Sequence, residues 1–332
     1  MSLRPALERL ARGLSLRGGV LRLPDGQRAP RADAARALED WLYERFFIDW
    51  RPREGRFSDS VGGAPHFTAL LLAATGTTSW FDERFRVLAR HPDGVFVENG
   101  VVRLYVRRRA DLRPPSPRRG GQVSVRLPCA REAAMAGFFC FNSRVGRLPD
   151  ERPHLKVYLN VLPALAPVLL EGLLHDHGLR RARFDGKIVN DPDAFGRRDT
   201  ALLYVEPRSL EAVLGFLGRL RARRPRGFRA AVPPFVLPLG RGVGVAESPP
   251  GDEESFGAQR CRLTALGLLA WLDGDAASAW AGVSSRFAAE GLDATRPWLG
   301  VLPASWVARA QQAMRPSARR AAGPAGPRPR RR

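Results

Sequence analysis

A chain of 332 residues that is 44% hydrophobic can bury a substantial core, so composition excludes a disordered protein except at the ends. No apolar run approaches the roughly 18 residues of a membrane span, and the N-terminus lacks the apolar centre of a secretory signal; both point to a soluble cytoplasmic protein without a membrane partner. The formal charge of +21 would suit a nucleic-acid binder, but no aromatic or groove-reading feature accompanies it, and three scattered cysteines (Cys129, Cys140, Cys261) without a CxxC pair argue against zinc.

Residues 1–14 and 33–47 show helical spacing of Leu, Ala and aromatics around a short hairpin-like piece at 18–27. Residues 66–76 read as another helix ending at Gly76. Two strands follow within 94–109, joined through Glu98-Asn99-Gly100, which suits a tight type I′ turn. The Pro/Arg/Gly stretch 112–122 is too polar and broken for core, and separates an N-terminal helical and hairpin region, 1–111, from an α+β region, 123–314. There, strands at 123–128, 137–143, 155–161, 181–189 and 200–207 alternate with helices at 164–178 and 209–224. A mostly helical part follows, at 255–272, 276–291 and 303–314, while the glycines of 240–247 read as a turn. The pattern predicts an α+β fold with a mixed or antiparallel central sheet flanked by helices. Residues 315–332, rich in Pro, Gly and Arg, read as a disordered basic tail.

Of the 54 basic residues only Lys156 and Lys187 are lysine. Scarce Lys, Ile, Asn and Tyr beside abundant Ala, Arg, Gly and Pro is the mark of a GC-rich codon bias, so a retained lysine asks for a chemical reason. Arginine stays protonated at any working pH, whereas a desolvated lysine can lose its proton and act as a general base. Strand alternation places Lys156, Tyr158 and Asn160 on one face, and Arg181, Arg183, Asp185 and Lys187 together on one side of their strand. His154 shares the predicted face of Lys156 and is the best histidine for an acid. Arg197 and Arg198, before the strand at 200–207, and Arg260 and Arg262, on the helix after Ser255, have the paired donors that grip a phosphate. Ser255 is placed to cap that helix, whose first-turn amides favour an anion.

Three stretches resemble a known family. They are "LKVYLNVLPALAPVLLEGLL", "RFDGKIVNDPDAFGRRDTALLYV" and "PPFVLPLGRGVGVAESPPGDEESFGAQRCRLTALGLL". Together they look like the HopA-type family, named after a type III secretion effector, whose actinobacterial members are the Y-component lyases of class V lanthipeptide and thioamitide clusters. The most specific matches are Phe-x-x-Lys in "FDGK", the "RRDTALLY" run and "SFG" followed by arginine; the segment "LLAATGTTSWFDERFRVL" departs from the pattern. The resemblance implies a carbon–oxygen lyase. A kinase-like partner phosphorylates Ser or Thr of a precursor peptide, this protein eliminates the phosphate to leave dehydroalanine or dehydrobutyrine, and a cyclase acts on the product. It implies Lys187 as base, with Lys156 and Lys187 exchangeable in that role. Lys156 or Arg198 binds phosphate with Arg260, and His154 or Tyr158 serves as acid or donor. No metal or organic cofactor is needed, since phosphate is already an adequate leaving group. The competing reading is a non-catalytic peptide-binding adaptor that takes an extended peptide by strand addition.

Overall fold

The computed structural model describes residues 3–50, 63–149, 153–248 and 254–315. In chain order these form α1 (Leu3–Ala11), β1 (Ser15–Arg17), β2 (Val20–Arg22), β3 (Arg28–Pro30), α2 (Ala34–Trp41), α3 (Pro65–Thr75), β4 (Ser79–His91), β5 (Gly94–Glu98), β6 (Arg103–Val106), β7 (Leu112–Arg113) and β8 (Gln122–Pro128). Then come β9 (Ala130–Met135), β10 (Phe138–Asn142), β11 (Leu155–Leu159), α4 (Ala166–His175), β12 (Phe184–Val189), β13 (Ala201–Val205), α5 (Leu210–Arg223), β14 (Leu237–Gly240), β15 (Val243–Glu247), α6 (Phe256–Leu272), α7 (Ala279–Ala289) and α8 (Ser305–Ala313). The predicted α+β class holds, with every strand pairing antiparallel.

The central sheet has seven strands in the order β14-β15-β11-β13-β12-β10-β9. Its middle strands are buried on both faces, so they read as near-continuous apolar runs rather than as clean alternation. One face carries Phe139, Phe141, Leu155, Val157, Leu159, Ala201, Leu203, Val205, Phe184 and Ile188 and packs on α3, α4 and α5. The other face meets α6, whose buried side includes Phe256, Cys261, Leu263 and Leu268, together with α1, α2 and the π-turn Leu42–Phe47 that extends α2. The N-terminal helices thus share a core with the C-terminal ones. Gly186 is required by this packing: a Cβ there would lie 2.3 Å from the Phe141 ring.

Three expectations need correction. The stretch 112–122 does not separate two sheets, because β8, immediately after it, pairs with β4 and β7 in a five-stranded sheet of order β6-β5-β4-β8-β7. The 13-residue β4 was not foreseen; register shifts at Asp82–Phe85 and Val87–Ala89 interrupt the alternation that would have announced it. The glycines at 240–247 are only partly a turn, since Val243–Glu247 is β15, fully buried beside β11. The tail from 316 onward lies outside the described residues. No helix of the described residues is long and apolar enough to cross a membrane.

Candidate functional site

Cross-strand register builds the site. On the face turned toward α6, Lys156 of β11 pairs with Tyr204 of β13, and Tyr204 pairs with Asp185 of β12. One step along the same face, Tyr158 pairs with Leu202, Leu202 with Lys187, Lys187 with Cys140 of β10, and Cys140 with Arg131 of β9. Directly opposed side chains in a sheet sit about 5 Å apart, so residues distant in sequence become neighbours here. Both lysines therefore fall on one face of one sheet. Where α6 and the π-turn leave that face uncovered, a cavity of about 430 Å³ opens. Its wall includes Arg131, Arg147, His154, Lys156, Asp185, Lys187, Tyr204 and Ser255.

Positive charge dominates the wall. Arg131, Arg147, Lys156 and Lys187 face two carboxylates, Asp185 and Glu254, and Glu254 is already held by Arg262 through two contacts of 3.0 Å. Lys187 Nζ lies 3.5 Å from the Met135 sulfur and 4.4 Å from the centre of the Phe138 ring. Burial among these apolar groups lowers its pKa, and the nearby Arg197 adds to the effect, while Asp199 and Cys140 oppose it. Lys156 Nζ sits 5.4 Å from the centre of the Tyr204 ring, against which the His154 ring also packs, edge-on at 5.5 Å. Asp185 is held at ion-pair distance by Arg131, 3.7 Å, and Arg147, 3.6 Å, and accepts a hydrogen bond from the Leu148 amide. Burial raises its pKa despite both guanidinium groups.

Of the ten residues given catalytic or phosphate-binding roles from sequence, the structure brings together four, Lys187, Lys156, His154 and Ser255, and beside them Asp185, which alternation had aligned with Lys187. Ser255 caps α6 as foreseen, accepting from the Ala258 amide. The other six lie elsewhere. Tyr158 shares the face of Lys156 but is 3% exposed and packed between Phe47 and Phe256, and burial pushes its pKa well up. Asn160 lies past the end of β11, where its Nδ2 donates to the Ala231 carbonyl. Arg197 is a buried partner of Asp199. Arg198 donates to the Phe46 carbonyl and pairs with Asp49, tying the π-turn to the sheet. Arg260, 1% exposed, donates to the carbonyls of Pro297 and Leu299, and Arg262 is spent on Glu254 and Glu290.

The arginines that do reach the cavity, Arg131 and Arg147, were missed. Arg131 lies on β9, whose alanine-rich sequence gives no strand signal, and Arg147 lies in an irregular segment after β10. Among 52 arginines neither stood out. Tyr204 and Cys140 were likewise missed, although the strand periodicity that aligned Lys156 would have aligned Tyr204 once the strand order was known.

The model of the HopA1 effector protein family matches residues 129–299, just over half of the chain, from the start of β9 to beyond α7. This chain belongs to the HopA1 effector protein family. The segment shared with the HopA1 family contains every residue named in the cavity wall. Two solved structures are similar to it. The effector protein from Pseudomonas syringae pv. tomato strain DC3000 aligns with 81% of this chain and 95% of its own, at 16% identity and a TM-score of 0.47. The effector protein from Pseudomonas syringae pv. syringae strain 61 aligns with 90% of this chain and 97% of its own, at 15% identity and a TM-score of 0.47. No curated protein matches the chain.

Proposed function

We propose that this HopA1-family chain is a carbon–oxygen lyase that removes phosphate from phosphoserine or phosphothreonine in a precursor peptide, leaving dehydroalanine or dehydrobutyrine. The observation that carries the reading is the cavity itself: four cationic side chains around an open cleft, one of them a lysine whose pKa burial has lowered. Such a wall stabilises a phosphate dianion while offering a base, and elimination needs both.

The roles follow from position. Neutral Lys187 Nζ takes the proton from Cα, the electron pair of the C–H bond becomes the Cα–Cβ double bond, and the Cβ–O bond breaks toward phosphate. Arg131, Arg147 and Lys156 hold the departing dianion, in place of Arg198 and Arg260, whose donors are engaged with backbone carbonyls. His154, against Tyr204, is the donor to the leaving oxygen; Tyr158 is not, being sealed between aromatic rings. The peptide is phosphorylated beforehand by a kinase-like partner, and a cyclase uses the alkene. The residues assigned here need neither a metal nor an organic cofactor to complete the step.

A base works in its deprotonated form, so the direction of the Lys187 shift fixes the pH response. The kcat/KM for dehydration of a synthetic phosphothreonine peptide rises as pH increases through the lowered pKa of Lys187, with a midpoint below the ordinary lysine value of about 10.4. Mass spectrometry across a pH series measures it. A rate that falls with rising pH over that limb would remove Lys187 as the base.

A further inference from the structure

We infer that Asp185 is a positioning residue that sets Arg131 and Arg147 as a two-guanidinium clamp for a phosphate dianion. The inference rests on the lyase reading and adds to it the group that organises the anion site. Asp185 lines the cavity, in register with Tyr204 on one side and Asn142 on the other. Its two arginines come from different places, Arg131 from β9 at the sheet edge and Arg147 from the segment after β10. A shared anion between them offsets the repulsion of two like charges brought to one point in the wall. Asp185 Oδ2 is that anion, 3.7 Å from Arg131 Nη2 and 3.6 Å from Arg147 Nε.

The geometry leaves the clamp ready for a ligand. These separations are ion-pair distances, so the carboxylate holds both guanidinium groups in the wall by charge. Arg131 Nε is buried and has no hydrogen-bond partner among the described residues, an unfilled donor in the wall of an open cavity. The backbone reinforces the arrangement. The Leu148 amide donates to Asp185 Oδ1, and Arg183 Nη1 donates to the Arg147 carbonyl at 3.1 Å, so the segment that carries Arg147 is fastened to β12 and to the residue just before it. A peptide phosphate entering the cavity meets both guanidinium groups in its wall, with Lys156 across from Tyr204 on the neighbouring strand.

Asp185→Asn keeps the size and the hydrogen-bond acceptor but removes the charge that holds the arginines. The test compares it with wild type in two measurements: binding of inorganic phosphate by calorimetry, which needs no turnover, and kcat and KM on a phosphothreonine peptide across pH. The expected result is about 10-fold weaker phosphate binding and an equal rise in KM, with kcat and the pH midpoint set by Lys187 little changed. Asp185→Glu is expected to recover part of the affinity. Unchanged or tighter phosphate binding by Asp185→Asn overturns the inference, because the carboxylate would then be a competitor of phosphate. A fall in kcat with loss of one limb of the pH profile overturns it too, since Asp185 would be a proton donor. If wild type binds phosphate as described but dehydrates nothing, the lyase reading fails while the clamp stands.

Discussion

Replacing Lys187 with alanine lowers the rate of phosphate elimination on the order of 1000-fold while leaving the fold intact. The expectation has two parts. Lys187 is half-buried in a cavity wall, against Met135 and Phe138, so removing its side chain enlarges an existing space without opening a sealed core. Its ammonium also makes no salt bridge among the described residues, so no buried carboxylate is abandoned. What is lost is a wall side chain that combines a lowered pKa with a basic nitrogen. Lys187→Arg is equally inactive, because guanidinium keeps its proton. Initial dehydration rates beside circular-dichroism melting curves check both parts. Activity within 10-fold of wild type would move the base to Lys156.

Replacing Arg260 with alanine does the opposite: it destabilises the protein by roughly 3–5 kcal/mol and leaves phosphate affinity of the folded fraction unchanged. Arg260 is 1% exposed, lies over the rings of Phe256 and Phe287, and bonds the carbonyls of Pro297 and Leu299 as well as the Gln259 side chain. Truncation leaves two buried acceptors unpaired and a void between aromatic rings, and both costs fall on the packing of α6 against the segment that follows α7. Burial lowers the Arg260 pKa to about 10, so it stays charged at neutral pH and serves as a structural cation. Denaturant melts and phosphate calorimetry on the same preparation separate the two effects. A stable Arg260→Ala protein that had lost phosphate binding would restore the assignment made from sequence.

The contrast between these residues shows what the sequence could disclose. Lys156 and Lys187 were legible because each is a rare residue on a strand with readable alternation, and the sheet does place both on one face. The α+β class and the helices α4 to α8 were legible from periodicity. Arginines were not, because more than fifty of them share one chemistry and their fate is decided by tertiary contacts: Arg198 and Arg260 reach backbone carbonyls 152 and 37 positions away. Alternation also fails where both faces of a strand are covered. It grouped Tyr158 with Lys156 correctly, yet could not reveal that Phe47 and Phe256 would close over one and leave the other in a cavity. β9 escaped because Ala-Arg-Glu-Ala-Ala-Met carries little strand preference, and with it went Arg131.

The most direct test of the account is the mass change of a phosphothreonine peptide incubated with the purified protein. Base-catalysed elimination removes phosphoric acid, a loss of about 98 Da, and creates a site that adds a thiol; this is the result predicted for wild type and abolished in Lys187→Ala. A peptide that binds in the cavity and keeps its phosphate, or that loses only about 80 Da as in hydrolysis, would contradict the assignment of this protein as a lyase.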